Sequence, residues 1–154
     1  MKSVAPPKIS VHSLQRKIPV NIIELQNFAN EAVRRCLRLH KQRRTDLNEL
    51  HEVFVWLISD RRMTWLHRKF MHQSGPTDVL TFQHGEIFLS VETAKRQARG
   101  FGTSLGHELR LYLVHGLLHL HGFEDRTETS ARKMESTQAT ILRTAMGALK
   151  CNRV

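Results

Sequence analysis

The chain has 154 residues, 40% of them hydrophobic, enough for one globular domain with a core of its own and no need of a second. Lys and Arg number 24 against 14 Asp and Glu, and the formal charge of +10 favours polyanionic partners, nucleic acid first among them, over cationic ones. The longest uninterrupted aliphatic and aromatic run, Val53 to Ile58, is far short of the roughly 20 residues that cross a bilayer, MKSVAPPKIS has no apolar stretch for a secretory signal, and Cys36 and Cys151 are too few and too far apart for a disulfide framework, so the expectation is a cytoplasmic protein without membrane or disulfide partner.

Pro6 and Pro7 close a short flexible start over residues 1–7, and KISVHSL then sets Ile9, Val11 and Leu14 in the near-alternation of a half-buried strand. Asn21 precedes Glu24 at capping-box spacing. Leu25, Phe28, Ala29, Ala32, Val33, Cys36 and Leu37 recur at helical intervals, which predicts a helix to about Leu39. KQRRTD reads as a polar loop whose basic cluster could touch phosphate. VFVWLI predicts a strand buried on both faces, followed at Ser59 and Asp60 by a cap for a helix with Met63, Leu66 and Phe70 on its inner side and Gly75 and Pro76 at its end. DVLTF and EIFLS, separated by QHG, predict a hairpin. Ser90 offers a cap for a helix through ETAKRQA that stops at Gly100 and Gly102. Ser104 offers one for a helix to about Gly122 that contains LYLVHGLLHL and, being apolar almost all round, belongs at the centre of the fold. A final amphipathic helix from about Thr129 to Met146 sets Met134, Ile141, Leu142 and Ala145 on one side.

His115 and His119 are four residues apart on that central helix, so their imidazoles project from one face and can share a metal ion. In so apolar a helix two rings need something to satisfy their nitrogens, and a metal would do so. Gly122 can take the left-handed conformation that turns the chain back, which brings Asp125 within reach of the same ion. H-x3-H-x2-G-x2-D is the ligand spacing of metzincin-type zinc sites, with Asp in place of the usual third His. Three protein ligands leave a fourth position open, the arrangement of a catalytic zinc. His121 points to nearly the opposite side of the helix and is set aside. The alternative is a pair of core histidines hydrogen-bonded to backbone, with Asp125 capping the last helix.

Zincin peptidases carry a Glu base directly after the first His, and here that position is Gly116. Proteolysis is therefore disfavoured. An open zinc position on a basic protein suits attack on a phosphodiester, since zinc lowers the pKa of a water to about 7.

HGLLHLHGFED resembles the signature HGxLHLxGYDH of the YbeY family of bacterial rRNA-maturation endoribonucleases. PTDVLTF is similar to that family's PTDVLSF, and GEIFLSVETAKRQA to its GDIxIS strand and following helix. The resemblance is strong over about residues 76 to 125, weaker from residue 50 and fainter from residue 8. It implies an α+β single domain over residues 1–154, with a small mixed sheet, about five helices and one zinc ion per chain on the buried central helix. It also implies single-strand-specific cleavage of rRNA precursor in small-subunit maturation and ribosome quality control, with the small ribosomal subunit as partner. The family's third His falls on Asp125, and its functional Arg, five residues before the Pro of PTDVLSF, falls on Met71, whose thioether cannot neutralise a phosphate. Arg68, one helical turn earlier, is the candidate substitute. Lys95 and Arg96 are further candidates for RNA contact, each weighed against an ordinary charged helix face. Two other functions stay open: a ribosome-assembly factor that binds RNA and cleaves it poorly or not at all, and a zinc hydrolase of a non-RNA substrate.

Overall fold

A computed structural model describes residues 5–39 and 44–152 of the protein. Alternation shapes the first strand, β1 (Lys8–Ser13), which buries Ile9 and Val11 and leaves Lys8 and His12 exposed. Leu14, expected to extend it, lies past its end and is 48% exposed. Helix α1 (Ile22–Leu37) starts where the Asn21 side chain accepts the Glu24 N–H at 3.2 Å, and it buries Leu25, Phe28, Ala29 and Val33. The basic part of KQRRTD falls mostly outside the described residues. Its end holds a short helix not foreseen, α2 (Asp46–Glu49), started by a capping box between Thr45 and Asn48.

Strand β2 (Glu52–Ile58) buries Val53, Val55 and Leu57, whereas Phe54 and Trp56 are only half-buried on the opposite face. The expected burial of both faces therefore holds only at the strand's end, where Ile58 is buried against Met63 of the next helix; the other outward residues are aromatic rather than polar, and an unbroken apolar run conceals the period of two. Helix α3 (Asp60–Met71) is capped by Ser59, whose side chain accepts the Arg62 N–H, and it buries Met63 completely. Phe70, expected inside, is 50% exposed, and the helix stops at a left-handed His72 (φ 55°) rather than at Gly75.

The expected hairpin forms from β3 (Val79–Phe82) and β4 (Glu86–Ser90), paired antiparallel. Gly85 is required at its turn, because φ is 106° and a Cβ there would sit 2.7 Å from the Glu52 carbonyl oxygen. Helix α4 (Val91–Phe101) ends at a left-handed Gly102. Ser90 occupies its cap position without bonding to it; the hydroxyl donates instead to Asp60. Helices α5 (Leu105–Leu120), capped by Ser104, and α6 (Glu128–Cys151), capped by Thr127, complete the chain. The described residues thus hold six helices, one more than expected.

The sheet order is β1-β2-β4-β3, with β1, β2 and β4 parallel and β3 antiparallel at one edge, an α+β domain with a small mixed sheet. Register aligns Val11, Val55, Ile87 and Thr81 across its inner face, and α5 lies against that row. A Cβ at Gly116 would come 2.7 Å from Ile87 Cγ2 and 3.2 Å from Thr81 Oγ1. Helix and sheet are therefore as close as backbone allows, and the residue after His115 has no room for a side chain. Leu109, Leu113, Leu117 and Leu118 fill the surrounding core, as the all-round apolar reading of this helix requires. The Cys36 thiol lies in the same core, where burial pushes its pKa up to about 12 and keeps it neutral and inert. No helix among the described residues is long and apolar enough to cross a membrane.

Candidate metal centre

Helical spacing does to His115 and His119 what the sequence requires: their Nε2 atoms face each other at 3.0 Å. Each ring is fixed through its other nitrogen. His119 Nδ1 lies 3.1 Å from the Phe123 carbonyl oxygen, which only accepts, so Nδ1 carries the proton. His115 Nδ1 lies 2.9 Å from the Gln138 amide oxygen on α6 and is held in the same tautomer. Both Nε2 lone pairs therefore point at one position, where they repel unless a cation or a shared proton sits between them. Burial, and then the neighbouring His115 ring, lower the pKa of His119 by more than Asp125, the Phe123 carbonyl and Glu124 raise it, which keeps the ring neutral and able to donate its lone pair.

Gly122 is left-handed at φ 86° and turns the chain after α5. The turn brings Asp125 Oδ2 to 3.8 Å from the Nε2 of both His115 and His119. A point about 2.1 Å from all three donor atoms lies within that triangle, and zinc takes imidazole nitrogen and carboxylate oxygen at roughly 2.0–2.2 Å. Donor chemistry and spacing fit a divalent ion. Asp125 is the most exposed of the three, with 48% of its side chain accessible, so the open side of the group faces solvent through it.

That open side is a cleft of about 550 Å³ between the β3 edge and the turn after α5, lined among others by Leu80, Thr81, His119, Glu124, Asp125 and Arg126. Asp46 and Met71 complete its wall. Three carboxylates against one guanidinium leave this cleft acidic on an otherwise basic molecule, a charge that a divalent cation would offset.

His121, set aside on helical geometry, is turned into the core, with Nδ1 2.9 Å from Thr45 Oγ1 and Nε2 2.6 Å from the Leu39 carbonyl oxygen.

The family model for endoribonuclease YbeY matches residues 10–146. The chain belongs to the YbeY family. The endoribonuclease YbeY of Anaeromyxobacter dehalogenans is 35% identical over 102 residues, covering 60% of this chain and 53% of that protein. That of Frankia casuarinae is 33% identical over 122 residues, covering 66% and 61%, and that of Moorella thermoacetica 36% over 110 residues, covering 59% and 70%. The chain therefore spans about half the length of the first of these relatives. The solution structure of TM1509 from Thermotoga maritima superposes with a TM-score of 0.64 at 24% identity, over 94% of this chain and 93% of that one, a likeness of fold.

In this YbeY-family chain Met71 lines the cleft, whereas Arg68 is exposed on α3 outside its lining. Lys95 and Arg96 lie on α4, away from the cleft, beside a shallow recess shared with Lys17 and Arg99. Arg96 is engaged there: its guanidinium donates to Asp60 at 2.6 Å and to Thr93 at 3.0 Å. Two groups at the centre went unread in the sequence. Gln138 had a visible signal, since it stands at helical spacing between Met134 and Ile141, a lone amide on the apolar side of α6. Arg126 had none, because a single Arg in a charged turn looks like any other.

Proposed function

We propose that this chain is a zinc-dependent endoribonuclease that cuts single-stranded RNA, with small-subunit rRNA precursor as substrate, and that His115, His119 and Asp125 hold the metal. The observation that carries the reading is the pair of imidazole nitrogens 3.0 Å apart, with one carboxylate oxygen 3.8 Å from each, beside an open cleft that His119 and Asp125 line. Family membership and the +10 charge support an RNA substrate. Cytoplasmic location and work on the small ribosomal subunit follow from the same reading.

Zinc bound at this group would polarise a phosphoryl oxygen and lower the pKa of a water to about 7. The protein's own part is placement. Gln138 and the Phe123 carbonyl keep both Nδ1 protons in place, so neither ring can turn its Nε2 away. Asp125 closes the set from beyond the turn at Gly122. Gly116 leaves no carboxylate beside the first His, so the helix offers no general base of the peptidase type. Arg126 is the one Lys or Arg among the described residues lining the cleft, placed to meet a phosphate oxygen.

A weakly cleaving RNA-binding factor is the second reading, favoured by Met71 standing in the cleft wall where the resemblance puts a cation. Metal analysis beside cleavage of single-stranded RNA tests both. The purified protein should carry about one zinc per chain, His119→Ala should lose it, and Asp125→His should keep it while Asp125→Ala binds weakly. Stoichiometric zinc in His119→Ala sinks the metal assignment. Full zinc without cleavage supports the second reading.

A further inference from the structure

The helices leave part of the sheet's outer face uncovered, and that face is aromatic. His12 of β1 and Trp56 of β2 are register partners, their rings stacked 4.9 Å apart at 29°. Phe54, two residues before Trp56 on the same face, stacks on it at 5.8 Å and 12°. Trp56 is in turn paired with Phe88 of β4, and Phe88 meets Phe82 of β3 edge-on at 5.7 Å. All four strands thus contribute rings to this face, which α3 covers in part: Trp56, Phe82 and Phe88 are half-buried against its Met63 and Leu66, whereas His12 is exposed and Phe54 half-buried outside that cluster.

We propose that this surface is a stacking platform for two or three unpaired bases of the RNA strand that enters the cleft. Its continuity with the cleft is one argument. Phe82 closes β3, whose Leu80 and Thr81 line the cleft, and it packs edge-on at 5.3 Å against Phe70, the neighbour of the cleft residue Met71. A strand leaving the metal centre over the β3 edge meets rings at once. Charge is the second argument. Lys69 Nζ lies 4.6 Å from the Trp65 ring and 5.6 Å from that of Phe70, at the β3 end of the track, and exposed Lys8 begins the same face of β1. The face also carries two carboxylates: exposed Glu52, the register partner of Lys8, which offsets that cation, and Glu86, whose carboxylate accepts from Trp56 Nε1 and from His84 Nε2, each at 2.7 Å, so that it is occupied by two N–H groups. Chemistry is the third. Every base has a π-face, and flat rings on a four-stranded sheet beside cations and imidazole edges recognise unpaired bases with little regard to sequence. Two copies of a chain carrying +10 repel when such faces meet, whereas a polyanion is drawn in.

The inference rests on the RNA-cleaving reading for its substrate, and binding tests it without cleavage. Affinity of the zinc-loaded full chain for a short labelled oligouridylate is compared with affinity for an abasic strand of equal length. Phe54→Leu and His12→Ala, with Trp56→Leu as a third variant if it folds, should each weaken oligouridylate binding by about 10-fold while the slope of affinity against salt and the affinity for the abasic strand stay as in the parent. An oligouridylate carrying 5-iodouridine should crosslink under light to peptides holding Phe54, Trp56 or Phe82. Unchanged affinity in Phe54→Leu and His12→Ala, or crosslinks confined to the cleft, overturns the platform and leaves the nuclease reading standing. Ring-dependent binding without any cleavage upholds the platform and sinks the nuclease reading. Concentration-dependent dimerisation of the parent, abolished by Phe54→Leu, assigns the face to a second copy and overturns the inference.

Discussion

The amide oxygen of Gln138 lies 2.9 Å from Nδ1 of His115, so the last helix of the chain determines how a ring on the central helix presents its other nitrogen. Gln138→Leu keeps the side chain's bulk on the apolar side of α6 and removes only this acceptor. Zinc affinity, measured by competition with a chelator, should fall about 10- to 100-fold with little change in thermal stability. An unchanged dissociation constant would show that His115 is oriented by packing alone.

Charge in the cleft separates the two readings of activity. Met71→Arg adds a cation where the cleft wall now holds a thioether, and it should raise turnover on single-stranded RNA. Arg126→Ala should lower turnover by about 10²-fold, in the range for removal of one electrostatic stabiliser, with zinc content unchanged. Arg68→Ala should be nearly silent, because Arg68 lies outside the lining. A large loss on Arg68→Ala would instead show that its long side chain reaches the substrate.

Gly116 is a packing requirement as well as a chemical absence. Gly116→Ala drives a methyl group into Ile87, and overpacking of this kind costs about 1–3 kcal/mol. Denaturant unfolding should show that loss, partly relieved when Ile87→Ala is added, because the two changes share one space. Additive losses would mean that helix and sheet move apart instead.

Asp60 ties the first turn of α3 to α4. Burial alone would raise its pKa, but hydrogen bonds from Ser90, Arg96 and Thr93 outweigh burial and leave it lowered. A carboxyl depressed in the folded state stabilises the protein above its unfolded value of about 3.9 and loses that contribution as pH falls through the folded value. Asp60→Asn should therefore be less stable than the parent at neutral pH by about 1–3 kcal/mol. The gap should narrow below about pH 4. A gap independent of pH would place the effect in packing.

How legible the sequence was depended on whether each signal was local. Caps and turns were read where one residue decides them: Asn21, Ser59, Ser104, Gly102 and Gly122 all act as their types require. Ser90 was not, because Asp60, thirty residues away, takes its hydroxyl. The imidazole pair was read from its spacing on one helix, and the turn that brings Asp125 to it from one glycine. The half-open face of β2 was hidden, since Phe54 and Trp56 are as apolar as the residues they alternate with, and only how far α3 reaches across that face tells them apart. Which cation enters the cleft was beyond reach for the same reason: Met71, Arg68 and Arg126 lie on two segments whose approach the chain order does not declare.

All three donors of the proposed metal centre fall between His115 and Asp125, a single turn-and-return of chain. Loops this short lose little entropy on closure, so an ion here constrains the unfolded chain far less than a clip between distant segments would. The unfolded peptide keeps the same donors at the same spacing and retains some affinity of its own. Binding to both states cancels in the linkage, and the ion should therefore stabilise the fold by less than its affinity for the native protein alone would give.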